Sequence, residues 1–396
     1  QDSLVGSEMC IRDSVYRAHI FEHTGTFEIT ALATGLSNNL EYLVVGGGGG
    51  GGGESSQSGG GGAGGFRTNL AGHPVKAADL EGEIAVYTVE VGAGGNGGLG
   101  PSPTSQYGLQ GGNSEFYKNG TSYPDVKRIR AVGGGGGQGY GTAPVPQMNG
   151  GSGGGAICSP SPYAGGTGNT TDPNHPQVQG YAGGNCTPSY VSPYAGGGGG
   201  GAGRVGAPDD PSAPEGRSTG GYGLQCLIAH NPTNPESPIG APGPDSNNGY
   251  FAGGGGGGSY AASGGAGGYG GGATGGGTNI PSKNGDHGTY ATGGGGGGSG
   301  HVSSYGRGGN GGSGIVVVRY KIASLAGTAK ATGGAVSFAG GKTIHTFTTS
   351  GDFNNTSGDA LANVDYLVVA GGGGGGGANA SADGAAGGGA GGLKTS

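Results

Sequence analysis

The chain has 396 residues, 113 of them glycine, with no tryptophan, 10% charged residues and a formal charge of −7. Glycine has no side chain to bury and loses the most backbone freedom on folding, so this composition excludes an ordinary globular core. The uninterrupted glycine blocks exclude collagen, which needs Gly at every third position, and the acidic balance argues against a nucleic-acid partner or an anionic membrane surface.

In chain order, residues 1–14 come first and differ in composition from everything after them. They resemble a translated sequencing-adapter read-through at the end of a metagenomic assembly, and on that reading they stand outside the fold. From residue 18 onward four segments have strand character: about 18 to 30, Leu40 to Val45, Glu83 to Val91 and Gly314 to Ile322. Residues 84–91 alternate as a half-buried strand does, and Ile315-Val-Val-Val-Arg-Tyr320 is a β-branched run of the buried-sheet kind. They predict a small antiparallel sheet or sandwich from which residues 92–313 make one long excursion. No run of 18 apolar residues occurs, so membrane insertion is not expected.

The excursion has its own punctuation. Glycine blocks begin near 46, 133, 196, 253 and 293, three of them entered through Tyr194-Ala195, Phe251-Ala252 and Tyr290-Ala291. Six to eight glycines in a polyproline-II-like helix span roughly 19 to 25 Å, at about 3.1 Å per residue. Such rods cannot satisfy their own amides, so they are expected to bond laterally into a bundle. The predicted fold class is all-β or irregular: a small antiparallel β base, a bundle of poly-glycine II helices with long distal loops, and essentially no α-helix.

The start of this pattern returns near the end. His19-Ile-Phe21, Gly25-Thr-Phe27 and Glu41-Tyr-Leu-Val-Val45 reappear as His345-Thr-Phe347, Gly351-Asp-Phe353 and Asp365-Tyr-Leu-Val-Val369, and Ala63-Gly-Gly-Phe-Arg-Thr68 as Ala390-Gly-Gly-Leu-Lys-Thr395. The expected organisation is therefore an adapter-like segment at 1–14, a complete unit over 15–321, and the truncated start of a second unit over 322–396.

Chemistry-bearing motifs are sparse. Gly92-Ala-Gly-Gly-Asn-Gly97 matches a nucleotide-binding pattern only as chance provides in so glycine-rich a chain, and no helix follows it. Asp209, Asp210 and Glu215 lack calcium-loop spacing, and His19 and His345 read as strand residues. Cys158 and Cys186 are candidates to pair, but the cysteines lack the spacing of a zinc site. Lys127-Arg128-Ile129-Arg130 reads as a solvated loop edge. No catalytic residue, metal or cofactor is expected.

The order Phe-x5-Phe, Tyr-Leu-Val-Val with poly-Gly, Ala-Gly-Gly-Phe-Arg-Thr, Tyr-Thr-Val-Glu-Val-Gly-Ala-Gly-Gly and Gly-Gly-Ser-Gly-Ile-Val-Val-Val-Arg-Tyr resembles the glycine-rich domain of phage tail-fibre and related virion proteins. It is similar, more loosely, to the receptor-recognising adhesins of T-even-type fibres. That resemblance implies a poly-glycine II sandwich whose distal loops touch the host. It implies a place in the virion tail fibre outside the cell, among other fibre proteins. The long Pro-rich loops, 138 to 194 and 202 to 250, depart from the simpler members.

Tyrosine gives large contact area at small entropic cost, so the loop residues Tyr107, Tyr117, Tyr123, Tyr163, Tyr190 and Tyr222 are the candidates for contacting a bacterial surface glycan or outer-membrane protein. The plainer reading is that several of them pack on the rods. The alternative functions are an extracellular, secreted or cell-surface, microbial filament or matrix protein and, more remotely, an ice-binding protein. Homo-oligomerisation is open, because no heptad run specifies it.

Overall fold

A computed structural model describes residues 8–12, 16–32, 37–53, 57–100, 106–139, 145–157, 163–169, 177–186, 194–210, 217–229, 239–260, 263–277, 283–300, 306–321, 331–339, 342–356, 364–373 and 388–396. These fall into two compact units, Gln1–Ser324 and Leu325–Ser396.

The strands of the first unit are β1 (Glu8–Arg12), β2 (Tyr16–Phe21), β3 (Gly25–Ile29), β4 (Asn39–Val45), β5 (Phe66–Thr68), β6 (Leu80–Glu81), β7 (Ala85–Glu90), β8 (Ser114–Lys118), β9 (Ile129–Ala131), β10 (Leu224–Gln225), β11 (Tyr250–Phe251) and β12 (Ile315–Lys321). The described helix is one turn, Val145–Met148. One sheet runs β1-β2-β12-β4-β5 with β6 added to β4, and a second runs β3-β7-β8-β9.

β12 lies between β2 and β4, antiparallel to both, with Val317 opposite Ile20 on one side and Leu43 on the other. Successive strand residues point to opposite faces, and here both faces are covered. Val316, Val318, Tyr42 and Val44 turn toward the second sheet and join Phe27, Tyr87, Val89, Phe116 and Ile129 in one core. Ile315, Val317, Leu43 and Val45 turn the other way, against Phe66, Cys226, Ile228, Ile239 and Phe251. Burial on both faces is why the β12 run shows no polar alternation until Arg319. In the first core, Tyr87 and Phe116 stack at 5.3 Å between ring centroids, and Phe27 lies 6.1 Å from each.

Two expectations change. Parts of 202–250, read as a distal loop, come back to the base: Cys226 and Ile228 cover the outer face of the first sheet, and β10 pairs with β11. Residues 8–12, read as outside the fold, form an edge strand on β2 with Cys10 opposite His19.

Between strands run the glycine segments. The amides of Gly46, Gly49 and Gly52 donate to the carbonyls of Gly65, Gly62 and Gly59; those of Gly47, Gly50 and Gly53 donate to Gly112, Leu109 and Gln106; those of Gly48 and Gly51 donate to Gly312 and Gly309, all at 2.7 to 3.0 Å. In return, Gly134 and Gly137 donate to Gly47 and Gly50, Gly95 and Gly98 to Gly48 and Gly51, and Gly296 and Ser299 to Gly49 and Gly52. A partner that changes at every residue and recurs at every third is the signature of a threefold extended helix in a lateral lattice. The segment 46–53 thus sits inside a ring of others, donating to three antiparallel neighbours and accepting from three parallel ones.

The energetics explain why such a lattice needs a base. Ordering a residue costs about 1–2 kcal/mol of backbone entropy, and a buried amide bond returns only about 0.5–1.5 kcal/mol net. On hydrogen bonds alone the rods fall short, so the apolar sandwich that pins their ends has to contribute the difference.

The second unit contains β13 (Ala331–Thr332), β14 (Ala335–Ala339), β15 (Lys342–Thr346), β16 (Asn354–Asn355), β17 (Leu367–Val369) and β18 (Leu393–Thr395). β13 pairs with β16, β14 with β15 and β17 with β18.

Candidate functional site

An ideal lattice satisfies every interior amide, but the outermost rods have amides that face away from any neighbour. Here side chains take the neighbour's place. Segment 92–98 exposes Ala93 and Asn96, followed at the same spacing by Leu99; segment 307–313 exposes Arg307 and Asn310; segment 283–289 exposes Asn284 and His287 at that spacing, and also Asp286 and Thr289. The spacing of three places each set on one face of its helix.

The three segments lie side by side, because Gly308 and Gly311 donate to Gly98 and Gly95, and Gly285 and Gly288 donate to the carbonyls of Arg307 and Asn310. Across them the side chains complete the bonding. The Gly97 amide donates to Asn310 Oδ1 at 2.8 Å, the Arg307 amide to Asn284 Oδ1 at 2.9 Å, and the Asn310 amide to His287 Nδ1 at 2.8 Å. The last bond leaves the neutral His287 ring with its proton on Nε2.

Asn96, Leu99, Asn284, His287, Arg307 and Asn310 line a groove of about 460 Å³ in the half of the lattice away from the sandwich. Its floor is glycine backbone, which lets the groove walls stand on rods that cannot shift singly. It combines a guanidinium, an imidazole, three carboxamides and one apolar side chain. That set suits a polyhydroxylated or anionic ligand, which asks for planar donors and acceptors in fixed positions.

The same capping recurs at other margins. Asn113 Oδ1 receives the Gly133 amide at 3.0 Å, Asn185 Oδ1 the Gly165 amide at 2.9 Å and Asn169 Oδ1 the Gln179 amide at 3.0 Å. Nothing in the sequence reading assigned these asparagines a capping role; their position beside glycine-rich segments was the available signal.

The tyrosine candidates do not converge. Tyr107 is half-buried in a rod segment. Tyr117 is not in a loop but on β8, where it donates to Glu90 at 2.6 Å and carries the Arg128 guanidinium 3.9 Å from its ring centre. That hydrogen bond raises the phenol pKa, with smaller contributions from burial and the carboxylate charge. Tyr123 is exposed on the β8–β9 connection with Arg130 4.9 Å from its ring centre, so both belong to the sandwich. Tyr163 packs beside Ala156 and Cys186, and Tyr222 lies 5.1 Å from the Tyr269 ring beside Arg204. Tyr190 lies outside the described residues.

The basic run at 127–130 is not a bare loop edge. Arg128 and Arg130 both reach the buried Glu115 carboxylate, at 2.5 and 3.3 Å. Cys186 is disulfide-bonded, Cys158 lies outside the described residues, and Cys226 is a free, buried thiol. Asp209 is ion-paired with Arg217, while Glu215 lies outside the described residues. Among the described residues no group of acidic, His and Cys side chains has the arrangement of a metal site, and no helix is long and apolar enough to cross a membrane.

A family model described as a glycine-rich domain matches residues 22–321. No curated protein matches the chain.

Proposed function

The chain belongs to the glycine-rich domain family, and we propose that it is a structural and host-recognition segment of a phage tail fibre that binds a bacterial surface glycan or outer-membrane protein. The observation that carries this reading is the groove whose side chains are fixed at a spacing of three on laterally bonded rods. A binding surface built from pre-ordered side chains loses little entropy on capture, and an outward face can change without disturbing the backbone lattice behind it. The role is one of binding and reach rather than catalysis.

The test is a binding assay of the purified chain against a panel of bacterial lipopolysaccharides and outer-membrane vesicles. Saturable binding to a subset of the panel, weakened about tenfold or more by Arg307→Ala or Leu99→Asp, is expected, since side chains at the centre of a site dominate its affinity. Absence of binding across the panel, together with ordered self-assembly of the chain into filaments, would favour the extracellular matrix role instead.

A further inference from the structure

Six asparagines are followed directly by glycine: Asn96, Asn119, Asn149, Asn248, Asn284 and Asn310. In such a pair the main-chain nitrogen of the glycine can attack Cγ of the asparagine. The N–Cγ bond forms, the nitrogen gives up its proton, ammonia departs with the side-chain nitrogen, and a cyclic succinimide results. Water then opens the ring at either carbonyl and leaves aspartate or isoaspartate. The reaction needs a glycine N–H free of hydrogen bonds, a backbone that can rotate to bring that nitrogen onto Cγ, and access to water.

The lattice denies the first two conditions to the asparagines of the groove. The Gly97 amide donates to Asn310 Oδ1 at 2.8 Å, and the amides of Gly285 and Gly311 donate to the carbonyls of Arg307 and Gly95, both at 2.9 Å. A threefold extended helix holds ψ near roughly +145°, and turning one residue away from it would break bonds to several rods together. The other pairs are held as well. Gly150 donates to the Thr167 carbonyl at 3.2 Å; Gly249 is buried, its carbonyl receiving the Cys226 amide at 2.8 Å while the Tyr250 amide that follows donates to Ala241 at 3.1 Å.

Asn119 differs on each count. It stands in the turn from β8 to β9, closed by the Thr121 amide on the Lys118 carbonyl at 3.1 Å, and both Asn119 and Gly120 are exposed. The Gly120 amide has no hydrogen-bond partner among the described residues, its φ is +87°, and the space where a side chain would stand is open. Asn119 Oδ1 accepts from the Thr88 hydroxyl at 2.5 Å, a bond that draws electron density from the carbon under attack.

We propose that Asn119 is a modification site, converted by water through a succinimide to aspartate and isoaspartate, while lateral bonding of the rods keeps Asn96, Asn284 and Asn310 as carboxamides. The difference protects the groove. No acidic side chain lines it, and a carboxylate at Asn284 or Asn310 would stand beside Arg307 and compete with an anionic ligand. Isoaspartate at 119 instead lengthens the main chain by a methylene at an exposed turn of the sandwich, so the chain ages there first.

The experiment incubates the full chain in warm, mildly alkaline buffer made with water enriched in heavy oxygen, and follows each Asn-Gly peptide by mass spectrometry with a fragmentation that separates aspartate from isoaspartate. Asn119 is expected to convert about tenfold or more faster than Asn96, Asn284 or Asn310, since local structure sets the opening that cyclisation requires. Its products should carry heavy oxygen and include isoaspartate. In denaturant the rates at all the pairs should draw together. Equal rates at Asn119 and the groove asparagines in the native chain overturn the proposal, as does an Asn119 that stays intact while the denatured chain converts. A difference that persists undiminished in denaturant also overturns it, because it would then belong to the neighbouring residues and not to the lattice.

Discussion

The amide of Gly48 donates to the carbonyl of Gly312 across 2.9 Å, tying the first long glycine segment to the last one before β12. At the same point a Cβ added to Gly48 would overlap the carbonyl oxygen of Gly294 on another rod. Hydrogen bonding and steric intolerance therefore have one origin, the close lateral approach of backbones that only glycine allows.

Substitution of Gly48 by alanine is accordingly expected to cost about 3 kcal/mol or more, at the upper end for overpacked sites, because the obstacle is backbone held on several sides. Ala93→Ser, at an exposed position on the outward face of a rod, is expected to stay within about 0.5 kcal/mol of the parent. Paired denaturant melts read the contrast.

Asn310→Ala removes the carbonyl that receives the Gly97 amide and leaves the lattice margin open. The expected loss is about 1 kcal/mol, with faster amide exchange at Gly97. Asn310→Asp, which keeps an acceptor there, is expected to restore slow exchange, and amide-resolved exchange by NMR distinguishes the two.

How far the fold was legible depended on the periodicity each element carries. Strands β4, β7 and β12 announce themselves by β-branched runs or alternation, and the uninterrupted glycine blocks announce the rods. Segments 92–98, 163–169, 177–186 and 283–289 do not, because only lattice-facing positions need glycine while every third position is free to carry Asn, Tyr or His. β8, β9 and the Cys226–Ile228 cover are short and flanked by polar residues; their burial comes from sheet partners remote in sequence. The groove residues were illegible for the same reason: nothing local brings Asn96, Asn284 and Arg307 to one surface. The tyrosines were chosen for composition, which carries no information on which end of the molecule they occupy.

Cys226 is buried beside β5 and the outer face of the first sheet, and burial pushes its thiol pKa up to about 11. With so little thiolate, it is expected to resist alkylation at neutral pH in the native state and to react only as the base opens. Labelling monitored by mass spectrometry under increasing denaturant should follow global unfolding.

Glu83 accepts from Lys118 at 2.6 Å and Lys127 at 3.0 Å, and these hydrogen bonds and charges lower its pKa to about 2 from an ordinary 4.5. A carboxylate with a depressed folded-state pKa contributes stability that is present above its unfolded value and is lost as pH falls through the folded one. The acid limb of the stability profile should therefore include a component between about pH 4.5 and 2. It is small, since the side chain is well solvated. Glu83→Gln is expected to remove that component and leave the neutral-pH dependence otherwise unchanged.

The lattice itself is tested most directly by amide hydrogen exchange of residues 46–53, 58–65, 133–139, 253–258 and 293–299 in the full chain, read by fragment-resolved mass spectrometry. Laterally bonded rods predict exchange slowed by orders of magnitude and released cooperatively with the sandwich strands. Exchange at random-coil rates in those glycine segments, while β4, β7 and β12 remain protected, would contradict it.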